Sequence, residues 1–346
     1  MKMHASEFAS VAREEPDARP AAVVTGLGTC LPRTEISNAS LAEHLDTDDD
    51  WIRTRTGIAA RRRATPDVSM TDLACAAAAG ALRSAGRTTV DALVLATSTP
   101  DRPCPAAAPE VAHRIGQGGI PAFDVSAVCS GFIYATATAA GLIAAGIADS
   151  VLVTAAETYS RIVDPSDRST AVLFGDGAGA VVLRCGTAGE PGSLLAFDLG
   201  SDGAARDFIH VPGAREQPEG DRWFTMAGRK VYLRALQQIT SSALRVMEDC
   251  AWSPETVGAF VAHQANARII DAVANRLRVP SDAAVCEIAR VGNTAAASIP
   301  LALADAVDGG RLKPGARTVL TAFGGGLTWG SAALTWPSLT PVRTEI

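Results

Sequence analysis

Aromatic side chains are scarce in this chain, 5% against 47% hydrophobic residues, so its core has to be built from Ala, Val, Leu and Ile packed closely around 31 glycines. Lysine is scarcer still: it occurs only at positions 2, 230 and 313, and arginine supplies the rest of the basic residues. A formal charge of −6 leaves no basic excess for a nucleic-acid partner. The seven cysteines are odd in number and none stands in a C-x-x-C spacing. That argues against a disulfide frame and for free thiols in a reducing compartment. No apolar run is long enough to span a bilayer: the longest, residues 135–148, stops at Asp149 and Ser150. The first residues contain no apolar secretion core, so they are expected to be a loosely attached extension of a soluble, cytoplasmic protein.

What the chain has in abundance is alternation. Short β-rich runs at 21–25, 92–96, 151–155, 180–183, 260–262, 318–322 and 332–336 are interleaved with Ala-rich helical stretches at 70–84, 107–115, 130–145, 228–249, 267–277 and 295–308. This is the pattern of βαβ units around a largely parallel sheet, an α/β fold. The pattern also repeats once. ALVLAT at 92, a strand–Cys129–helix unit and VLVTAAE at 151 are followed by AFVAHQ at 259, a loop–Asn293–helix unit and VLTAFG at 319. Such a duplication would put Cys129 and Asn293 at matching helix N-termini. With Pro191 and Gly192 at the division, the expected segments are an extension at 1–20, a first half at 21–189 carrying Cys129, and a second half at 190–346 carrying His263 and Asn293.

Those three polar residues stand in small or apolar surroundings: Cys129 in DVSAVCSGF, His263 in FVAHQANARI and Asn293 in RVGNTAAASIP. A thiol in the first turn of a helix meets unpaired N–H groups and the positive end of the dipole, which favours the nucleophilic thiolate. A lone cysteine is also a common small core residue, and an Asn before a helix a common N-cap. Cys, His and Asn in this order describe a papain-like protease too, at a fitting interval. That family's cysteine lies near the mature N-terminus within C-G-[SA]-C-[WY], whereas Cys129 lies mid-chain in AVCSGF.

Other motifs need less. TGLGTCLP opens like a dinucleotide fingerprint, but the third glycine is absent and Pro32 interrupts the helix, so Gly26 and Gly28 are expected in a tight turn ending a strand. Gly175, Gly177 and Gly179 are expected to mark close packing. The run Arg61, Arg62 and Arg63 reads as a solvated face or, beside Trp51 and Arg55, as a patch meeting phosphates.

Five local sequences, WIRTRTGI, FGDGAGAVVL, HQAN, GNTAAASIP and FGGGLTWGSA, together resemble the β-ketoacyl-acyl carrier protein synthase III family in order and spacing, over about residues 21–336. The resemblance implies a thiolase-like fold of two duplicated α/β halves in a five-layered αβαβα arrangement, as a homodimer. It implies an acyltransferase whose cysteine takes an acyl group from coenzyme A and then condenses it, decarboxylatively, with malonyl-acyl carrier protein. Carried over by motif, Cys129 is the nucleophile, and His263 and Asn293 are the donors that stabilise the decarboxylated malonyl thioester. The N–H groups of Cys129 and Gly325 form the oxyanion hole. Trp51, Arg55 and Arg168 hold coenzyme A, and Gly228 and Asn266 line the pantetheine tunnel. Cys104, Tyr159, Phe174 and Phe323 surround the acyl group, and Arg268, with Arg229 and Arg234, docks the carrier protein. No metal or cofactor is implied beyond the coenzyme A thioester substrate and the partner's phosphopantetheine.

Two departures bear on the primer. Cys104 stands where acetyl-using members often carry a phenylalanine contributed across the dimer, which leaves room for a longer primer, while Tyr159 replaces an aliphatic residue and narrows the same space. Tyr232 replaces a tunnel phenylalanine. The product initiates a fatty-acid or, as in a starter-unit ketosynthase, a polyketide chain. Two other readings remain: an acyltransferase acting on a hydroxyl or amine without condensation, which needs no His–Asn donor pair, and a non-catalytic partner subunit, expected to lack Cys129.

Overall fold

The computed structural model describes residues 20–346, so the expected extension, apart from Pro20, lies outside the described residues. Ten strands carry the architecture: β1 (Pro20–Leu31), β2 (Ala92–Ala96), β3 (Ala122–Val125), β4 (Ser150–Thr158), β5 (Asp176–Thr187), β6 (Leu194–Ser201), β7 (Ala259–Ala262), β8 (Arg317–Gly324), β9 (Thr328–Thr335) and β10 (Val342–Glu345). One sheet has the order β10-β1-β5-β4-β2-β3 and the other β7-β8-β9-β6. In the first, β1 and β4 run antiparallel to β5, and β2 runs parallel to β4 and β3. In the second, β6 and β8 run antiparallel to β9 and β7 runs parallel to β8, with Phe260 bridged in parallel to Ala284 where a counterpart of β3 would lie. One strand order and one set of directions thus occur twice.

Six helices complete the layers: α1 (Asp49–Thr56), α2 (Met70–Ser84), α3 (Gly131–Ala144), α4 (Gly228–Asp249), α5 (Ala267–Leu277) and α6 (Ser298–Asp308). α3 and α6 lie between the sheets and touch both, α2 covers the outer face of the first sheet, and α4 covers that of the second, with α5 packed against α4. The result is five layers, α-β-α-β-α. The central helices can be shared by two sheets because they are small and apolar almost all round: α3 reads GFIYATATAAGLIA. No helix among the described residues is long and apolar enough to cross a membrane.

Two expectations give way here. β1 does not end at Gly26 and Gly28 but continues to Leu31 through an irregularity between Val24 and Gly26. Both glycines lie under α2, where a Cβ on Gly28 would come within 2.2 Å of the Ala81 nitrogen, so strand–helix contact and not a turn demands them. The arginine run is neither a solvated face nor a phosphate patch. Arg61 is wholly buried and donates to Ile36 O, Asn38 Oδ1 and Val172 O, Arg62 pairs with Glu35 and Glu345, and Arg63 donates to Ala171 O. These guanidiniums serve backbone carbonyls that helices and sheets leave unpaired, and burial pulls Arg61 down to about 10. Close packing at Gly175 is as expected, with a Cβ there reaching 2.3 Å from Val291 O.

Candidate active site

After β3 the chain enters a 3₁₀ turn, Val128–Ser130, and passes directly into α3. Val128 has φ +48°, a left-handed conformation that costs a β-branched residue about 1–3 kcal/mol. The turn is held in that shape from the second sheet: Ser130 Oγ donates to Thr328 O, and Thr328 Oγ1 lies 3.0 Å from Ala127 O and Gly325 O. Gly324, at the end of β8, presses on it so closely that a Cβ would stand 2.7 Å from the Cys129 nitrogen. Cys129 is therefore only 8% exposed. Burial, with the nearby Glu157 carboxyl second, pushes its thiol well above the ordinary range. The thiolate preference expected of a helix N-terminus is outweighed in the resting protein.

The second half repeats the device. Ala295 has φ +45° and opens the 3₁₀ turn Ala295–Ala297, which leads into α6 and packs on the Cys129 turn. The positional counterpart of Cys129 is thus Ala296, and Asn293 sits earlier, in the preceding loop. Asn293 is 5% exposed, and its backbone is fixed by Leu173 O and the Gly175 N–H. Its Oδ1 accepts from the Ala295 N–H at 2.9 Å, which leaves the amide NH₂ as the free end.

His263 leaves β7 with its N–H bonded to Thr321 O and is also 5% exposed. Burial lowers it to about 3, so the ring is neutral. Its Nδ1 lies 2.6 Å from Ser298 Oγ, which already accepts from the Gln264 N–H. The hydroxyl proton is thereby directed at Nδ1, and the ring's own proton belongs on Nε2. Both side chains have their inner ends occupied and offer a donor outward. The Gly325 N–H finds no acceptor among the described residues.

A cavity of about 650 Å³ opens nearby. It is lined by Trp51, Arg55, Gly228, Arg229, Tyr232, Asn266 and Arg268, with Thr56, Ser169, Val172 and Leu173. Arg168 is outside this lining but lies over the Trp51 ring at 5.0 Å, as Arg55 does at 4.8 Å. Arg234 is elsewhere, 3.8 Å from Asp202. Asn266 caps α5 by accepting from the Arg268 N–H and donates to Arg55 O, while Arg268 Nε donates to Thr54 O. The cavity wall is in this way a seam between α1 and α5.

Descriptions of known families match two stretches: 3-oxoacyl-[acyl-carrier-protein] synthase III over residues 123–203 and its C-terminal part over residues 247–336. The beta-ketoacyl-[acyl-carrier-protein] synthase III 5 of Streptomyces coelicolor is 54% identical over 329 residues, covering 92% of this chain and 98% of the relative. The chain belongs to the β-ketoacyl-acyl carrier protein synthase III family. The crystal structure of the Pseudomonas aeruginosa synthase III superposes with a TM-score of 0.90 at 51% identity, covering 93% of this chain and 100% of that one. A priming beta-ketosynthase from a polyketide biosynthetic pathway gives a TM-score of 0.86 at 35% identity, covering 94% and 99%.

In this synthase III chain Tyr159, Phe174 and Phe323 share one buried cluster with Cys129. Tyr159 stacks on Phe174 at 4.8 Å, and Phe224, which no motif singles out, meets both edge-on. Cys104 is apart from them, exposed in the segment between β2 and the next helix. Two residues that motif reasoning misses matter here. Ser298 stands inside GNTAAASIP, where a serine at a helix start passes for a cap. Glu157 is the lone acid at the end of the apolar β4 and is wholly buried.

Proposed function

We propose that this protein is an acyltransferase that condenses a short acyl-CoA primer with malonyl-acyl carrier protein, releasing CO₂ and starting a fatty-acid or polyketide chain. The observation that carries the reading is the donor pair: His263 and Asn293 each have the inner polar atom occupied and the outer one free to donate. Cys129 sulfur attacks the acyl-CoA carbonyl, its proton leaves with the coenzyme A thiol, and the oxyanion is met by the N–H groups of Cys129 and Gly325. Malonyl-acyl carrier protein then loses CO₂. The electron pair of the broken C–C bond passes to the thioester oxygen, where His263 Nε2–H and Asn293 Nδ2–H stabilise it. The resulting carbanion attacks the acyl-enzyme and expels the Cys129 thiolate, which takes up a proton. Neutral donors are what an enolate oxygen needs, and a neutral His263 supplies one without serving as a base.

Trp51 stacks the adenine of coenzyme A, Arg55 and Arg168 clamp it or its phosphates, and Gly228 and Asn266 admit the pantetheine. Arg229 and Arg268 at the mouth, with Arg234 beyond it, receive the acidic carrier protein. Tyr159, packed on Phe174 beside Cys129, limits the primer to a short acyl group within one chain. A homodimer would bring Cys104 to the end of a partner's acyl pocket. Transfer to a hydroxyl or amine would leave the oriented donor pair without a task.

Intact-protein mass spectrometry tests the reading. After incubation with an acyl-CoA panel, an acyl adduct is expected on the wild type and not on Cys129→Ala, and malonyl-acyl carrier protein is expected to discharge it with release of CO₂. Discharge to hydroxyl or amine acceptors without CO₂ would overturn the condensing reaction.

A further inference from the structure

A neutral imidazole carries one ring proton, and the nitrogen that holds it decides whether a histidine donates to a substrate oxygen or takes a proton from one. For His263 that choice is made behind the ring. Ser298 is 1% exposed, and its Oγ lies 2.6 Å from His263 Nδ1 while accepting the Gln264 N–H at 3.2 Å. Gln264 is itself locked: its side-chain amide donates to Ala262 O at 2.6 Å and Val285 O at 3.2 Å, and its Oε1 accepts from the Glu287 N–H at 2.8 Å. With the oxygen engaged in this way, the hydroxyl proton needs an acceptor. Other hydroxyls on helices of this protein turn back to the carbonyl four residues earlier, as Thr136 does to Phe132 O and Thr138 to Tyr134 O. Ser298, the first residue of α6, does not: the carbonyl in that place, Thr294 O, takes the Ala297 N–H. Among the described residues, His263 Nδ1 is the one other polar atom recorded at Ser298 Oγ.

We propose that Ser298 is a positioning residue for condensation: with its oxygen engaged by the Gln264 N–H, it donates to His263 Nδ1, keeps the ring proton on Nε2, and so makes the histidine a donor to the malonyl thioester oxygen and not a base. The proposal rests on the condensing reading above. A carboxylate in the same place would do the reverse, because it can only accept: it would hold the proton on Nδ1 and leave Nε2 basic, as the aspartate of a hydrolase triad does. The partner recorded at His263 Nδ1 is this hydroxyl and not an acid. Ser298 also follows directly on the Ala295–Ala297 turn beside Asn293, so it ties the histidine of one loop to the helix that succeeds the other donor.

Two readouts test this. NMR of protein labelled at the histidine ring nitrogens, with the His263 signals assigned by their loss in His263→Ala, is expected to show Nε2 protonated and Nδ1 bare in the wild type, and a share of the opposite tautomer in Ser298→Ala. In kinetics, Ser298→Ala is expected to acylate Cys129 from acyl-CoA at close to the wild-type rate. Its release of CO₂ from malonyl-acyl carrier protein is expected to be about 10- to 100-fold slower with little change in KM, short of the roughly 10²- to 10³-fold loss when a preorganised donor is deleted outright. Placed on His263→Ala, the same change is expected to add little, since the ring it orients is gone. A wild-type ring protonated at Nδ1, undiminished CO₂ release in Ser298→Ala, or equal losses in both half-reactions would overturn the proposal. Should Ser298→Ala fail to fold, Ser298→Cys, whose thiol is a weak donor, must show the same one-sided loss. A wild type that never releases CO₂, with its ring nonetheless protonated at Nε2, would instead count against the condensing reading itself.

Discussion

Cys129 and His263 have both been moved away from their ordinary ionisation by burial, in opposite senses, and Glu157 near Cys129 is raised by burial to about 8. These shifts make stability depend on pH in a way that can be read with its sign. His263 titrates near 3 folded and 6.5 unfolded, so the unfolded chain binds more protons between those values and stability is lost as pH falls through that window. Glu157 titrates near 8 folded and 4.5 unfolded, so the folded protein binds more protons and stability is lost as pH rises from 4.5 through 8. Glu157→Gln should therefore gain in melting temperature relative to wild type as pH is raised from 6 to 9; a difference that shrinks over that range would contradict the assignment. On the role proposed for Tyr159, replacing its ring in Tyr159→Leu should shift acylation, measured with acetyl- to octanoyl-CoA, toward longer chains. The candidate site is legible at this scale where one polar residue interrupts a small or apolar run, as Cys129, His263 and Asn293 do. Ser298 and Glu157 are not, because their meaning lies in what they touch across the fold.

Elements are legible in proportion to how much they bury. α2, α4 and α5 match their expected bounds because long amphipathic or alanine-rich stretches declare themselves. α1 leaves little trace, since only Ile52 and Thr56 of its residues are buried; its signals are the Asp48 cap, which accepts from the Trp51 N–H, and Gly57 at φ +80°. β6 is mostly half-buried and reads as neither periodicity. β1 is misread as ending in a turn because a glycine required by an overlying helix looks, in one dimension, like a glycine required by φ. The α1–α5 seam yields a prediction: Asn266→Ala loses both the cap of α5 and the bond to Arg55 O. It should cost about 1 kcal/mol in urea unfolding and raise KM for acyl-CoA while leaving carrier-protein decarboxylation less affected. An unchanged KM would mean that the seam does not shape the mouth.

The molecule as a whole carries −6, yet Arg55, Arg229 and Arg268 line the cavity beside Trp51. A local field of this kind draws in anionic ligands and is screened by salt. KM for malonyl-acyl carrier protein should rise with ionic strength at nearly constant kcat, and Arg268→Glu should raise it further at low salt. No salt dependence would place docking elsewhere. The duplicated architecture is legible from spacing alone, but the pairing of Cys129 with Asn293 is not, because the repeat aligns left-handed Val128 with Ala295 and leaves Asn293 outside the register. The shared middle layer, α3 and α6, is also where the two halves exchange their parts. The first half brings Cys129, the second brings His263 and Asn293, and Gly324 crosses over to press on the Cys129 turn.

Such enclosure has a further consequence in time. On the role proposed for Cys129, an acyl group on a sulfur that is 8% exposed, with the Gly324 backbone pressed on its turn and Tyr159, Phe174 and Phe323 in the same buried cluster, would be sheltered from water, and the loaded protein would persist as a stored intermediate. Its lifetime, more than the speed of loading, would then let a scarce carrier protein set the pace at which new chains begin.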